Sequence, residues 1–491
     1  MSTRITTSNA FSWNLAGSVF RAGAAFILTV FLARHLTPTA FGLVALAMPF
    51  IAFGNIVIDA GFGSALIQKK HIIETDVQMI FTLQVLIGIS LTLLLLLGAP
   101  FISVLTRQPA VLDVLRALAP LFLFQALTQT SISLLKRELR FKDIQIAQIT
   151  SYLVGYGVIG GLLAFLGAGV WSLVAANVGQ AFLFMIQTYT LTRHPIRPHF
   201  QFQSDLSIFG IKVLATNIVN LIVATLDRIL IGRIFGPATL GLYDRAFYLS
   251  STPTNVFIGA AQGIIFSATS RNQANIEYPR RMYSAFFSFV CAIFFPLFFT
   301  MAILATPLLA VIYGQRWIEA SFLLSILCLV MPFHALMALA GPVALGLGRA
   351  ELELKVQLAV LVFAAITFPI AAHFSLTALA FAIAAMYVFR FFLMTVATAR
   401  LLAAPILYLV GRILISSVFA FVVAALAHII FQATLTVLPT ILGVAIALVA
   451  AALVTMAGLH FTPHLLVGTA ATQTLHAANH PFSKLLKQRR I

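Results

Sequence analysis

Fourteen long apolar runs follow one another along the chain, and they constrain its fold more than any other feature. Each is long enough to cross a bilayer as a helix, which takes about 20 predominantly apolar residues. Hydrophobic residues make up 61% of the sequence and charged residues 9%, which leaves too little polar surface for a water-soluble globule. We therefore predict an all-α polytopic membrane protein with about 14 transmembrane helices. The runs lie at residues 11–33, 40–67, 77–105, 111–135, 147–166, 170–191, 208–234, 240–266, 283–304, 322–345, 356–373, 376–398, 408–431 and 435–459.

Positive charge is distributed unevenly between the two sides of this predicted topology. Of the 30 Lys and Arg residues, 20 fall on the side of the N-terminus and 5 on the opposite side. Cytoplasmic loops of membrane proteins carry such an excess of Lys and Arg, so we predict that both termini are cytoplasmic. The remaining five basic residues fall within or at the ends of predicted helices: Arg21, Lys212, Arg228, Arg245 and Arg390.

A motif at the junction of the first two predicted helices recurs at the junction of the seventh and eighth. Segments 33–43 and 232–242 share Arg, Pro, Gly and Leu at a constant offset of 199 residues. Because six helices separate the copies, both halves would have the same orientation, as in transporters built from parallel repeats. Chance recurrence of a Pro-Gly turn is the alternative. We predict two six-helix bundles at 1–200 and 201–400, two additional transmembrane helices at 401–460 and a basic cytoplasmic tail at 461–491.

A polar stripe runs along the first predicted helix. Asn14, Ser18 and Arg21 follow spacings of four and three residues, which place them on one helical face. The repeat offset carries Ser18 to Asn217 and Arg21 to Asn220, so the seventh helix would present a polar face at the same depth. Such faces predict a central hydrated cavity, since an ionisable side chain in contact with lipid costs several kcal/mol.

The other basic residues of the predicted helices are also candidate cavity cations that bind substrate: Lys212, Arg228, Arg245 and Arg390. Lys212 and Arg245 could instead extend to lipid headgroups. For Arg21, Arg228 and Arg390 the alternative is a structural bond between helices.

Two acidic residues, Asp59 and Asp227, lie in predicted helices as well. Each is a candidate proton or sodium coupling site, and the alternative is that it neutralises a neighbouring Arg. Because the cations outnumber these acids, the cavity should favour an anion such as a phosphate or diphosphate. Guanidinium groups bind these anions through bidentate, charge-assisted hydrogen bonds.

Several classes of function lack their sequence signatures. The chain has no G-x-x-x-x-G-K-[ST] phosphate loop and no H-E-x-x-H or C-x-x-C motif. The connections between predicted helices are short, whereas a membrane glycosyltransferase needs a sizeable catalytic loop. We therefore expect neither an ATP-driven pump nor an enzyme, with no cofactor, no metal and no nucleic-acid partner.

Several short motifs, taken together, resemble the polysaccharide transporter family of Wzx-type oligosaccharide flippases, within the multidrug/oligosaccharidyl-lipid/polysaccharide (MOP) superfamily. The resemblance covers about residues 10–400 and is closest to the exopolysaccharide and colanic-acid branch. The motifs are 59–69 (DAGFGSALIQK), 137–142 (RELRFK), 167–174 (GAGVWSLV), 226–233 (LDRILIGR), 240–246 (LGLYDRA) and Pro253.

This resemblance implies two six-helix bundles around a cationic cavity, with Arg21 and Arg228 among the cavity cations. The implied function is alternating-access movement of undecaprenyl-diphosphate-linked oligosaccharides across the bacterial inner membrane, for exopolysaccharide or lipopolysaccharide biosynthesis. Expected partners are the lipid-linked substrate, membrane lipids, and polysaccharide polymerase and export machinery. The alternatives are a cation-coupled drug or metabolite antiporter of the same superfamily and a non-transporting scaffold of polysaccharide synthesis.

Overall fold

The computed structural model describes the backbone of residues 2–59, 66, 69, 72–200, 208–273 and 275–468. The side chains of residues 2–16, 208–216, 260 and 350 lie outside this description. Over the described ranges all regular secondary structure is helical, which confirms the predicted all-α class.

Six membrane-length helices lie in the first 200 residues, at the positions of the first six predicted runs. They are α1 (Ser2–His35), α2 (Pro38–Asp59), α3 (Glu74–Thr106), α4 (Val111–Arg137), α5 (Phe141–Phe165) and α6 (Val170–Thr192). Pro38 begins α2, where its fixed φ and missing N–H are tolerated. Helix α4 packs against α3 and α6, and α1 packs against α5.

The next two helices form the stretch Ile208–Arg271, which breaks at Gly236. Gly236 has φ 86° and ψ 170°, a backbone conformation that only glycine adopts readily. The break divides the stretch into α7, residues 208–235, and α8, residues 237–271. It falls between the predicted runs 208–234 and 240–266, because Gly236-Pro237 is the turn signal of the repeat motif.

Six more membrane-length helices follow, and with α7 and α8 they complete the fourteen predicted. They are α9 (Glu277–Ile303), α10 (Gln315–Gly346), α11 (Ala350–Phe374), α12 (Leu376–Leu401), α13 (Ile406–Leu435) and α14 (Thr440–Phe461). Twelve of the helices in the described part of the chain are long and apolar enough to span a membrane, and α7 and α8 are not among these twelve.

The packing divides the chain into two compact units, Met1–Asp244 and Arg245–Ile491. In the second unit α9 packs against α10, α13 and α14, and its Phe287, Phe295 and Phe298 are at most 1% exposed. The additional helices α13 and α14 are therefore part of this unit's core. The predicted domain boundary near residue 200 adjoins residues 201–207, and the tail from residue 469 also lies outside the described residues.

The two copies of the repeat motif contact each other reciprocally inside the first unit. A Cβ atom on Gly42 would lie 1.6 Å from the carbonyl oxygen of Pro237, and one on Gly241 would lie 1.9 Å from that of Pro38. Each copy thus supplies both the glycine and the carbonyl, as expected where two related helices cross about a pseudo-twofold axis. Only glycine allows so close a crossing.

Candidate functional site

Arg21, the last residue of the predicted polar stripe, is half-buried and hydrogen-bonded to a neutral partner. Its Nη1 donates to Oε1 of Gln148 on α5 at 3.0 Å. One turn earlier on α1, Gly17 is buried against Gln145, and a Cβ there would lie 2.8 Å from that side chain. Among the described residues no carboxylate forms an ion pair with Arg21. The guanidinium charge thus lies between packed helices beside amide groups.

The structure describes only some side chains of the other stripe residues and of the repeat-related face on α7. The side chain of Asn14 lies outside the described residues, and Ser18 is half-buried. Asn217 is exposed, whereas Asn220 is half-buried with its Oδ1 buried and, within the described part of the chain, without a hydrogen bond. The predicted cavity role of this set stays a prediction.

Asp227 and Arg228 belong to a network that joins α7 to α8 across the Gly236 break. Asp227 is 4% exposed and accepts hydrogen bonds from the Tyr243 hydroxyl and, at 2.8 Å, from the backbone N–H of Arg228. The Nε of Arg228 donates to Oδ1 of Asp244 at 3.3 Å. The charge of Arg228 is therefore balanced by an acid of the neighbouring helix, unlike that of Arg21.

Two further predicted cations lie near this network in sequence. The guanidinium of Arg245 lies over the ring of Tyr248, 5.0 Å from its centroid, in a cation–π arrangement. The side chain of Lys212 lies outside the described residues. Their role as cavity cations stays a prediction.

Asp59 lies at the exposed end of α2 and accepts a hydrogen bond from Nε2 of Gln129 on α4. Beyond it, Arg137 Nη1 donates to the carbonyl oxygen of Leu66 at 2.7 Å and also to that of Lys69. Two of the family-like motifs, 59–69 and 137–142, therefore meet at this end of the first unit.

The same end of the first unit holds an ion pair that joins the loop between α4 and α5 to the first turn of α5. Arg140 Nε donates to Asp143 Oδ2 at 2.6 Å. The hydrogen bond to the Asp143 carboxylate raises the pKa of the Arg140 guanidinium. This short pair fixes the start of α5, the helix that carries Gln148.

Arg390 on α12 lines a cavity of about 230 Å³ in the second unit, which we call the Arg390 cavity. Its other polar lining residues are Asn255, Gln262, His334, Glu353 and Gln357. Gln262 is held in place by the hydrogen bond that its Nε2 donates to the Ala338 carbonyl at 3.2 Å. The structure thus places one predicted cation among polar groups from α8, α10 and α11.

Sequence reasoning missed the glutamines beside both cations. Gln145 and Gln148 are three residues apart, and Glu353 and Gln357 are four apart, so each pair shares a helical face. This spacing is the sequence signal that could have indicated both pairs. The candidate residues were chosen instead by charge or by their relation through the repeat. Among the described residues no group of three His, Cys, Asp or Glu side chains could hold a metal ion.

Comparisons with known proteins give consistent results at the sequence level. The profile of a family described as "Polysaccharide biosynthesis protein" matches residues 31–322. The chain is 26% identical over 304 residues to the teichuronic acid biosynthesis protein TuaB of Bacillus subtilis, covering 61% of this chain and 63% of TuaB. It is 27% identical over 326 residues to the succinoglycan biosynthesis transport protein ExoT of Rhizobium meliloti, covering 66% of each. The matches thus span just under two thirds of these relatives.

Solved structures resemble the fold at low sequence identity. A lipid II flippase, MurJ, in an inward closed conformation has a TM-score of 0.66 and 14% identity, covering 93% of this chain and 99% of that one. An inward-facing multidrug resistance transporter of the MATE family and MOP superfamily has a TM-score of 0.61 and 14% identity. The match covers 77% of this chain and 94% of the transporter. At this identity the likeness establishes the fold alone.

Proposed function

We propose a flippase function from one premise: the chain belongs to the family of polysaccharide biosynthesis proteins and has the MOP-superfamily fold. Relatives named for teichuronic acid biosynthesis and succinoglycan transport support a lipid-linked polysaccharide precursor as the substrate class. In this proposal the protein moves undecaprenyl-diphosphate-linked oligosaccharides across the bacterial inner membrane by alternating access. The product supplies exopolysaccharide or lipopolysaccharide biosynthesis, where a polymerase and export machinery are the proposed partners.

The observation that carries the proposal is Arg21. A charged side chain within a membrane-length helix is costly unless it meets a partner or a hydrated cavity. Arg21 donates a hydrogen bond to the neutral amide of Gln148 at 3.0 Å, and among the described residues no acid forms an ion pair with it. A guanidinium carries five N–H donors, and the remaining ones suit the oxygens of a diphosphate. Arg21 would hold the diphosphate while the lipid tail stays in the bilayer.

The other predicted residues take supporting roles in this proposal. Positive charge from the other predicted cations attracts an anionic substrate before it makes contact. These cations are Arg228, Arg245, Lys212 and Arg390. The path of the substrate through the protein stays hydrated because polar side chains line it: those of Asn14, Ser18, Asn217 and Asn220.

Asp59 is the better placed of the two proposed coupling sites. It lies at an exposed helix end with one hydrogen bond recorded, from Gln129. In Asp227 both oxygens already accept hydrogen bonds.

The test is transbilayer movement of a fluorescent undecaprenyl-diphosphate oligosaccharide in liposomes that contain the purified protein. We expect Arg21→Ala to abolish movement while the protein still folds, and Arg21→Lys to restore it partly, because an ammonium cannot form the bidentate bond. Arg116→Ala, at an exposed position of α4, is the matched control and should leave movement unchanged. Normal movement by Arg21→Ala would refute the proposed role.

The fold likeness to a MATE-family transporter favours one second candidate, a cation-coupled antiporter. Uptake of an organic cation into the same liposomes, without movement of the anionic lipid, would support it. If neither moves while loop substitutions disturb polysaccharide synthesis, a non-transporting scaffold is the better account.

A further inference from the structure

The Arg390 cavity is lined by charges of both signs, those of Glu353 and Arg390. Glu353 and Arg390 both line it, yet among the described residues no ion pair joins them. A ligand that carries only negative charge would be repelled by Glu353, and one that carries only positive charge would be repelled by Arg390. The two charges together disfavour a ligand of one charge sign and favour a ligand without net charge that has polar groups for both.

Three buried atoms of the residues that line the cavity have no hydrogen-bond partner among the described residues, and their hydrogen-bonding capacity is of both kinds. Gln357 is 1% exposed, and its Oε1 acceptor has no partner within the described ranges. Two more buried atoms have no hydrogen-bond partner within the described ranges: Nδ1 of His334 and Nε of Arg390, which is a donor. Buried polar groups without partners cost free energy, so a ligand that satisfies them binds favourably. Such a ligand needs both hydroxyl donors and oxygen acceptors.

Apolar side chains complete the lining and limit what fits. Ile258, Met337 and Met394 lie beside the polar groups. A pyranose ring presents C–H faces to such residues and hydroxyl groups at its edge. The volume of about 230 Å³ is below the range of about 300–1,000 Å³ that is typical of pockets for drug-sized ligands. The cavity therefore suits a single sugar residue.

We propose that the Arg390 cavity binds one uncharged sugar residue of the oligosaccharide, separately from the diphosphate at Arg21. This inference rests on the proposed function, because it assigns a subsite for the same substrate. Glu353 and Gln357 lie near the start of α11, which the predicted topology places at the cytoplasmic side. A sugar entering from the cytoplasm would meet this subsite early, so its residues would determine which repeat units are accepted.

The experiment measures binding of methyl glycosides to the purified full-length protein in lipid nanodiscs by saturation-transfer NMR. The probes are a neutral methyl glucopyranoside, the corresponding uronate and the corresponding amino sugar. We expect the neutral probe to bind tightest. Gln357→Leu should weaken its binding by about tenfold, since it removes a buried hydrogen-bonding partner. Gln357→Met, closer to the original shape, should do the same if the first variant does not fold. Gln432→Leu, the same change at an exposed position of α13, should have no effect.

The remaining outcomes show whether the sugar subsite or the flippase function fails. Tighter binding of the uronate or the amino sugar, or a neutral-probe affinity unchanged in Gln357→Leu, overturns the subsite. Absence of glycoside binding together with normal movement of the lipid-linked oligosaccharide also overturns it and leaves the flippase function standing. Glycoside binding with the expected variant effects, but without lipid movement, supports the subsite and refutes the flippase function.

Discussion

Arg21 and Arg228 differ in what balances their charge. The Nε of Arg228 lies 3.3 Å from a carboxylate oxygen of Asp244, whereas Nη1 of Arg21 lies 3.0 Å from an amide oxygen of Gln148. A guanidinium that is already paired with a carboxylate attracts an anionic substrate more weakly, because the carboxylate offsets its positive charge. At this scale the proposal therefore assigns the diphosphate to Arg21 first.

Gln148→Glu tests this difference without touching Arg21. The new carboxylate would pair with the guanidinium and compete with the substrate for it. Losing a hydrogen bond to a charged group costs about 1.5–3 kcal/mol, so we expect movement of the lipid-linked oligosaccharide to fall by about tenfold or more. Gln148→Met, which removes the bond but adds no charge, should retain most of the movement. Undiminished movement in Gln148→Glu would argue against substrate contact by Arg21.

His194, just after α6, gives a second prediction at the residue scale. It is 5% exposed, with its ring 5.1 Å from that of Phe81 and 5.4 Å from that of Tyr189. Burial lowers the pKa of His194 below its ordinary value of 6.5. Protonation thus favours the unfolded state, and the stability contributed by neutral His194 is present above pH 6.5 and is lost as the pH falls below it.

Thermal unfolding of the wild type and of His194→Phe, compared between pH 7.5 and pH 5, checks this effect. We expect the wild type to lose more stability than the variant as the pH falls, because the phenylalanine cannot take up a proton. His373→Phe, at an exposed position, should follow the wild type. Parallel pH profiles for wild type and His194→Phe would contradict the assignment.

At the scale of elements, the crossing of α2 and α8 depends on two glycines. A Cβ on Gly42 would lie 1.6 Å from the carbonyl oxygen of Pro237, which no side-chain rearrangement can relieve because the obstacle is backbone. The helices would have to separate. This reciprocal contact explains why the repeat motif keeps Pro and Gly four residues apart in both copies.

Gly42→Ala should therefore destabilise the protein, although replacing Gly by Ala in a helix ordinarily stabilises it by about 1 kcal/mol. Gly98→Ala, in α3 with nothing within 4 Å of the added atom, is the matched control and should be neutral or stabilising. The double variant Gly42→Ala with Gly241→Ala should cost less than the sum of the two, because both act on one crossing. Melting temperatures that rise in Gly42→Ala would contradict this packing.

The elements were largely predictable from the sequence, and their side-chain contacts were not. Apolar runs and the Gly236-Pro237 turn located the fourteen membrane-length helices of the described residues, because span length and turn chemistry are local properties. The Arg21–Gln148 bond joins residues 127 positions apart, and the polar residues that line the cavity with Arg390 come from three other helices. Such contacts depend on how distant helices pack, and a search for charges overlooks Gln148 and Gln357.

At the scale of the whole molecule, the charge distribution predicts the orientation in the membrane. The two native cysteines, Cys291 and Cys328, are buried, so introduced cysteines can be labelled against a low background. In intact cells a membrane-impermeant thiol reagent should label Thr39→Cys, at the exposed start of α2, and should not label Tyr278→Cys, at the exposed start of α9. The reverse pattern would overturn the prediction that both termini are cytoplasmic.

The charge of the transported molecule distinguishes the proposed flippase from an antiporter, and transport of an anionic and a cationic probe can be compared in one assay. Liposomes with the wild-type protein are given either a fluorescent undecaprenyl-diphosphate oligosaccharide or a fluorescent organic cation, and movement across the bilayer is followed for each. We expect movement of the anionic lipid, lost in Arg21→Ala and retained in Arg116→Ala, with no movement of the cation. Movement of the cation alone would refute the flippase function.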